Sequence, residues 1–432
     1  MNVVIHPDTP KVAPAIRTTG IFLLGLLALG GVISIIIRLF EGMGVTNLTS
    51  NVAWGMWVVF YIYCIGLSAG SFLLSTVVYV FGMERFEKMG RMALISALLA
   101  LAGGLIFVWI DLGHPFRFWK VFFNWQVSSV LAWEAALYIG YVAIILAELF
   151  LLMRRDLVGL RNETTGWRKR LYTVLAAGHK IEGDGKEQAE RSRHTIKMLG
   201  IIGIPVAVGV HGGTGALFAV VAAKPEWFSG LFPIIFLVSA LLSGAGLMLF
   251  LYAWFGRRDN EYSGIVDGLR VFVIAFIAVD ALLFLSDLLV NLYAGIPDQV
   301  AVWHEIAFGE YWYVFWFGQI LLAWTVPLFL SVFGPTKRSA LWLGIAGISV
   351  VMGILAVRLN LVIPAYLFPQ LPGLDVALPD TRSAYSYFPS LLEWISSIGI
   401  AALLTLVFIA AWNLLPIYRR EPDHEPVKGE SI

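Results

Sequence analysis

Ten apolar runs alternate with polar stretches along this chain, at roughly 20–39, 54–82, 91–112, 129–153, 196–222, 231–255, 270–294, 311–333, 339–358 and 390–415. A helix rises about 1.5 Å per residue, so about 20 apolar residues cross a bilayer core of about 30 Å. The pattern predicts an all-α polytopic membrane protein with ten transmembrane helices. It divides the chain into an N-terminal tail (1–19), one membrane domain (20–416) and a C-terminal tail (417–432). Composition agrees: hydrophobic residues make up 59% and charged residues 14%, and mean hydropathy is +0.80.

Basic residues sort between alternate loops. The N-terminal tail, the loops near 83–91, 154–197, 256–270 and 334–339, and the C-terminal tail hold 24 of the 30 Lys and Arg. The other loops and their edges hold Arg38, Arg117, Lys120, Lys224, Arg358 and Arg382. By the positive-inside tendency both termini are expected to be cytoplasmic, in the inner membrane of a bacterium or archaeon. Residues 1–19 are polar and contain Pro7, Pro10 and Pro14, and the first apolar run is too long for a signal core, so no cleavable leader is expected.

Two longer connections interrupt the helices. The basic loop 154–197 is expected on the cytoplasmic side, with a short amphipathic helix around 167–180. The loop 359–389, with Pro364, Pro369, Pro372 and Pro379, is expected outside, as a lid or docking surface. A gapless shift of 176 residues lays helices 2–4 onto helices 6–8. It matches Ala69 with Ala245, Gly70 with Gly246, Asp111 with Asp287 and Glu134 with Glu310. The expectation is two four-helix bundles, helices 2–5 (54–222) and 6–9 (231–358), related by a parallel repeat and flanked by helices 1 and 10. Matched small residues fit a repeated close contact between helices.

Ionisable groups in a membrane interior are costly, so each calls for a reason. Asp111 stands in the last turn of helix 3, His114 just beyond it, and Glu134 one turn into helix 4. His211 lies about 16 Å below the outer end of helix 5, beside Gly212 and Gly213. Trp54, Trp57 and Tyr61 open helix 2. A histidine and carboxylates able to exchange protons, together with flat aromatic walls, suit a quinone headgroup. Such a pocket is expected to open to lipid at the outer rim of helices 2 to 5. His211, Asp111 and Glu134 are the candidates for proton exchange; His114, Trp54, Trp57, Tyr61 and Gly212 are the candidates for holding the ring. Structural readings stand beside these: Asp111 capping its helix or paired with Arg117, Glu134 paired with Arg117 or Lys120, His114 ending its helix before Pro115, and the tryptophans as interfacial anchors.

Helix 7 carries Asp280, Asp287 and Asn291 on one face, with Asp280 about 21 Å below the outer end. With Glu310 these are candidates for a proton path. A set of hydrogen bonds to Ser239, Ser243 or Gln319 is the alternative. A full path would also need a group nearer the cytoplasm, and Glu148 is the acid available there.

Other chemistry is constrained by what the sequence contains. Among seven histidines only His211 is expected to be embedded, whereas a transmembrane pair of b haems needs about four. The single cysteine, Cys64, leaves no iron–sulfur cluster in this chain, and no histidine spacing fits a metal site. No nucleic-acid motif occurs. A secondary transporter and a structural anchor lacking a quinone site remain as other classes.

The runs GLSAGS (66–71), DLGHPFRFW (111–119), NW followed by a WE pair (124–134), HGGTGA (211–216), SGAG (243–246) and YFPSLLEW (387–394) resemble the NrfD/PsrC family, the polysulfide-reductase-type membrane subunits, in its ten-helix branch. The resemblance spans nearly the whole chain. It implies a haem-free subunit that binds menaquinone or ubiquinone near the outer face. It further implies electron exchange with a four-cluster ferredoxin-like iron–sulfur subunit docked there, itself wired to a catalytic or multihaem cytochrome subunit. The family's functional positions fall on His211, Asp111, His114 and Glu134.

Overall fold

Each of the ten apolar runs forms a helix long and apolar enough to cross a membrane. The computed structural model describes residues 14–80, 82–83, 86–179, 186–369, 373 and 383–418, and not the side chains of 14, 77–79 and 186–189. Most of both tails, including His6 and His424, and the middle of the 359–389 loop lie outside the described residues. The membrane helices are α1 (Pro14–Glu41), α2 (Met56–Val80), α3 (Glu87–Asp111), α4 (Val130–Glu163), α5 (Lys186–Ala219), α6 (Phe232–Phe255), α7 (Tyr262–Ala294), α8 (Val314–Val332), α9 (Ala340–Val362) and α10 (Leu391–Leu414). No strand occurs among the described residues.

Helices α2, α3, α4 and α5 each pack on the next, and α5 returns to α2; α6 to α9 close a second ring in the same way. The rings meet where α2 packs on α6, with α5 against α6 and α9 against α2 on either side. That is the pairing a two-fold relation between the rings requires. Helix α2 is the innermost: 94% of its most apolar stretch is buried, against 17% for α7, whose outer face is left to lipid. The flanking helices α1 and α10 pack on each other, and both lean on α3.

Glycine sets the closest approaches. A Cβ on Gly70 would lie 1.9 Å from the Ala240 carbonyl oxygen, and one on Gly244 2.3 Å from the Gly70 carbonyl carbon. Helices α2 and α6 therefore touch backbone to backbone, a contact that van der Waals packing favours in lipid. Gly31 and Gly399 do the same for α1 and α10. Gly246, the 176-residue match of Gly70, instead packs on Gly347 and Val350 of α9. The match thus aligns small residues without aligning their contacts.

The two ends of the helix body are tied differently. At the end holding the chain termini, the basic loop forms the helix Gly166–Leu175, and buried Tyr172 donates to the Leu414 carbonyl at 3.0 Å. Arg91 there bonds Asp156 at 2.5 Å and the Pro416 carbonyl at 2.7 Å. At the opposite, loop end, Ser390 and Glu393 form a reciprocal cap on α10. Tyr387 donates to Glu393, and its hydroxyl accepts the Met56 amide of α2 at 2.9 Å. The YFPSLLEW run is therefore the strap that holds the start of α2.

Candidate functional site

Glu134 enters the interior one turn from the start of α4. It is 1% exposed, and it meets neither Arg117 nor Lys120. Its Oε1 accepts from Tyr61 of α2 at 2.9 Å, Tyr138 of α4 at 2.7 Å and Thr214 of α5 at 2.5 Å. Its Oε2 is buried and has no hydrogen-bond partner. A buried carboxyl normally has both oxygens satisfied, so three donors on one oxygen and none on the other leave a position open to a further donor.

Thr214 brings this cluster to His211, three residues earlier on α5 and so on the same helix face. The imidazole is fully buried. Its Nε2 is 3.4 Å from Nη2 of Arg358 on α9, and its ring lies 5.5 Å from that of Phe236 on α6. The same Nη2 donates to Ser239 at 2.5 Å, and the guanidinium sits 4.4 Å over the Phe236 ring. The room for the imidazole comes from Gly66 of the GLSAGS run: a Cβ there would lie 3.2 Å from His211 Cε1 and 3.7 Å from Arg358 Nη2. Gly212 and Gly213 do not supply it, since a Cβ on either meets nothing within 4 Å. Neighbouring residues on a helix point about 100° apart, so glycines next to His211 in sequence face elsewhere.

Above His211 the interior is aromatic. Phe236 meets Phe218 at 5.7 Å, and Phe218 meets Trp54 at 5.2 Å and Trp227 at 5.0 Å. Trp54 and Trp227 stack at 5.7 Å with planes 16° apart, and Tyr366 lies edge-on to both. Lys224 donates to the Ala365 carbonyl at 2.6 Å and lies over the Tyr366 ring. Of the expected ring-holding residues, Trp54 belongs to this column. Trp57 does not: it is buried and donates to Ser396 of α10 at 2.9 Å.

Asp111 ends α3 beside Arg38, which donates to the carbonyls of Ile110 and Leu112 at 2.9 and 2.6 Å. It lies within electrostatic reach of Arg38, Glu393 and Tyr366, at the loop end of the column. His114 is exposed at the surface. The structure therefore gathers Tyr61, Glu134 and His211 in the interior, leaves Asp111 and Trp54 toward the rim, and sets His114 and Trp57 apart. The expected headgroup pocket open to lipid beside His211 is not what the packing shows. The imidazole is enclosed by Gly66, Phe236 and Arg358, and the aromatic column stands between it and the rim.

The α7 residues divide. Asp280 is buried, accepts from Trp324 Nε1 at 3.0 Å and lies within electrostatic reach of Arg358. Asn291 bonds Asp287 at 3.2 Å. Gln319 bonds Asn360 at 3.0 Å rather than α7. Both Gln319 and Trp324 come from the first part of α8, Val314–Thr325, which winds as a π-helix. Such widened turns recur at functional sites. Glu310 is exposed at the loop end, lining a cleft of about 420 Å³ with Asn47, Thr49, Ser386 and Tyr387. Glu148, on the termini side of α4, is buried with one oxygen unpartnered. Among the described residues, no group of three or more His, Cys, Asp or Glu is placed to hold a metal ion.

Sequence reasoning misses Arg358, Tyr138 and Thr214. Grouping Arg358 with loop-edge cations overlooks that it stands inside an apolar run, where the rule applied to the acids holds equally. Tyr138 and Thr214 lie four and three residues from Glu134 and His211 on the same faces, which is the spacing that finds them.

The profile of the polysulphide reductase NrfD family matches residues 44–370. The chain is 46% identical over 410 residues to the C component of selenate reductase from Mesobacillus selenatarsenatis, spanning 94% of this chain and 96% of that protein. It is 26% identical to the Hdr-like menaquinol oxidoreductase integral membrane subunit of Archaeoglobus fulgidus, over 89% and 90% of the two proteins. To the C component of polysulfide reductase from Wolinella succinogenes it is 24% identical, over 72% of this chain and 93% of that one.

Proposed function

Because the chain belongs to the polysulphide reductase NrfD family, we propose that it is the quinone-reactive integral membrane subunit of a respiratory reductase or menaquinol oxidoreductase complex. Relatives named as components of selenate and polysulfide reductases and of a menaquinol oxidoreductase support the membrane-subunit reading and the interaction with quinone. The observation that carries it is the buried Glu134–Tyr61–Tyr138–Thr214 cluster beside His211, roofed by aromatic rings.

Quinol oxidation releases two electrons and two protons, and quinone reduction takes them up. Glu134 and His211 are the groups able to hold those protons, because a carboxyl and an imidazole can each take up and release one and each keeps a buried atom without a hydrogen bond. Tyr61, Tyr138 and Thr214 hold the carboxyl in one rotamer and pin Oε1, leaving Oε2 to exchange. Trp54, Trp227, Phe218 and Phe236 supply flat apolar surface and exclude water from the route to the rim. Asp111 stands at the rim end of that route. Electrons are exchanged with an iron–sulfur subunit of the four-cluster ferredoxin-like class at the loop end, itself wired to a catalytic or multihaem cytochrome subunit. Exposed Phe116, Phe118, Trp119, Phe123 and Trp312 at that end support a docking surface. By the distribution of basic residues that end is the outer one, with both termini cytoplasmic.

His211→Ala, in complex captured by a tag on this chain, is expected to abolish quinone-linked electron transfer while artificial electron donors still reduce the partner's centres. Normal quinone turnover in that variant removes the assignment.

A further inference from the structure

Arg358 is a permanent charge sealed in a membrane interior. It is 1% exposed and reaches from α9, in the second ring of helices, to the imidazole of α5 in the first. Burying a charge in this way is costly unless it is compensated, and the compensation is specific. Ser239 takes one hydrogen bond, the Phe236 face lies beneath the guanidinium, and Asp280 is the carboxylate within electrostatic reach. Its Nε and Nη1 have no hydrogen-bond partner. Replacing Arg358 and Asp280 together by neutral residues would relieve that cost, so a structural role alone gives little reason for a charged pair here.

The chemistry of the contact is one-sided. A guanidinium carries only donors, so an imidazole nitrogen that bonds it has to be the acceptor. An Nε2 that accepts from Arg358 Nη2, 3.4 Å away, leaves the proton of a neutral imidazole on Nδ1. Nδ1 makes no side-chain hydrogen bond, and the Phe236 backbone carbonyl is the acceptor that lies beside the ring for an imidazole N–H. Gly66 and Phe236 close two sides of the ring. A 180° flip of the ring would put Cε1–H where Nε2 stands and leave the guanidinium without a ring acceptor.

We propose that Arg358 is the positioning residue of the site: from the second helical ring it fixes the His211 tautomer, with Nε2 as acceptor and Nδ1–H as the exchanging group. The role of this device in turnover rests on the quinone reading given above; the tautomer itself does not. In the first ring, proton exchange thereby depends on a charge that the second ring supplies and that Asp280 balances. Asp280 and His211 are linked through one side chain.

The test has a spectroscopic and a kinetic arm. The full-length protein, labelled with 15N-histidine and reconstituted in lipid without quinone, gives ring nitrogen resonances that distinguish the two neutral tautomers and the cation. Subtraction of the His211→Gln spectrum assigns them. Wild type is expected to show the Nδ1–H tautomer, Arg358→Gln a mixture or the opposite form, and Arg358→Lys partial recovery. In the assembled complex, Arg358→Gln is expected to lower kcat for quinone-linked turnover roughly 100-fold, the scale of a misplaced reacting group, with KM changed less than about threefold. Should Arg358→Gln fail to fold, Ser239→Ala removes the hydroxyl that anchors the guanidinium but keeps the charge, and a smaller shift in the same direction is expected. A His211 spectrum unchanged in either variant, or a normal kcat in assembled Arg358→Gln, overturns the proposal and leaves the quinone reading standing. Failure of the wild-type complex to turn over quinone overturns the quinone reading and with it the catalytic role of Arg358, while the spectra still decide the tautomer.

Discussion

Gly66 and His211 share a contact 145 positions apart in the sequence. The imidazole fits because α2 has no side chain at that point, while the glycines beside it in sequence look outward. Residue-level function here is a matter of which atoms a neighbouring helix withholds. Glu226, in the connection between α5 and α6, allows a test at the same scale. Burial pushes its carboxyl up to about 7, with Asp298 adding to the rise and Lys224 opposing it. An acid that binds its proton more tightly folded than unfolded stabilises the fold at low pH, and that contribution is lost as pH climbs through the unfolded value toward about 7. Wild-type protein in detergent is therefore expected to lose thermal stability between pH 5 and pH 8 more steeply than Glu226→Gln, which has no proton to give up. Parallel curves for the two proteins would contradict this.

At the scale of elements, the decisive join is the α2–α6 crossing. Gly70→Val would drive side-chain atoms into the α6 backbone, where relief requires the two helical rings to separate. Overpacking of a rigid contact typically costs about 1–3 kcal/mol, and a backbone contact is the least yielding case. Gly25→Val on α1 is the control, since nothing lies within 4 Å of that position. The Gly70 variant is expected to show a lower detergent Tm and less folded protein in the membrane, the Gly25 variant neither; equal stability of the two would remove the crossing as a determinant. The π-wound part of α8 is a second element-level feature. It delivers Gln319 to Asn360 and Trp324 to Asp280, and no periodicity in the apolar run announces it.

For the whole molecule, two rings of helices joined at α2 and α6 put one polar system across their boundary: Glu134 and His211 on one side, Arg358 and Asp280 on the other. If proton movement accompanies quinone chemistry, Asp280 is where the second ring takes part. Asp280→Asn in complex reconstituted into liposomes is expected to retain most quinone turnover and lose most of any coupled pH change. Equal loss of both would place Asp280 in the quinone chemistry itself, and loss of neither would remove the α7 stripe from the path.

Much of this was legible along the sequence. Crossing a bilayer demands long uninterrupted apolar helices, so ten runs became ten helices, and the cost of ionisable groups in lipid singled out Glu134, His211 and Asp280 as residues needing partners. Only the tertiary structure decided who those partners are: hydroxyls from three helices for Glu134, an arginine from the other ring for His211, and α1 set beside α10. The reason is physical. Lipid acts on every helix alike and is read residue by residue, whereas the contacts among helices depend on rotations about axes that an all-round apolar surface leaves unspecified, and those are settled by where glycines let backbones meet.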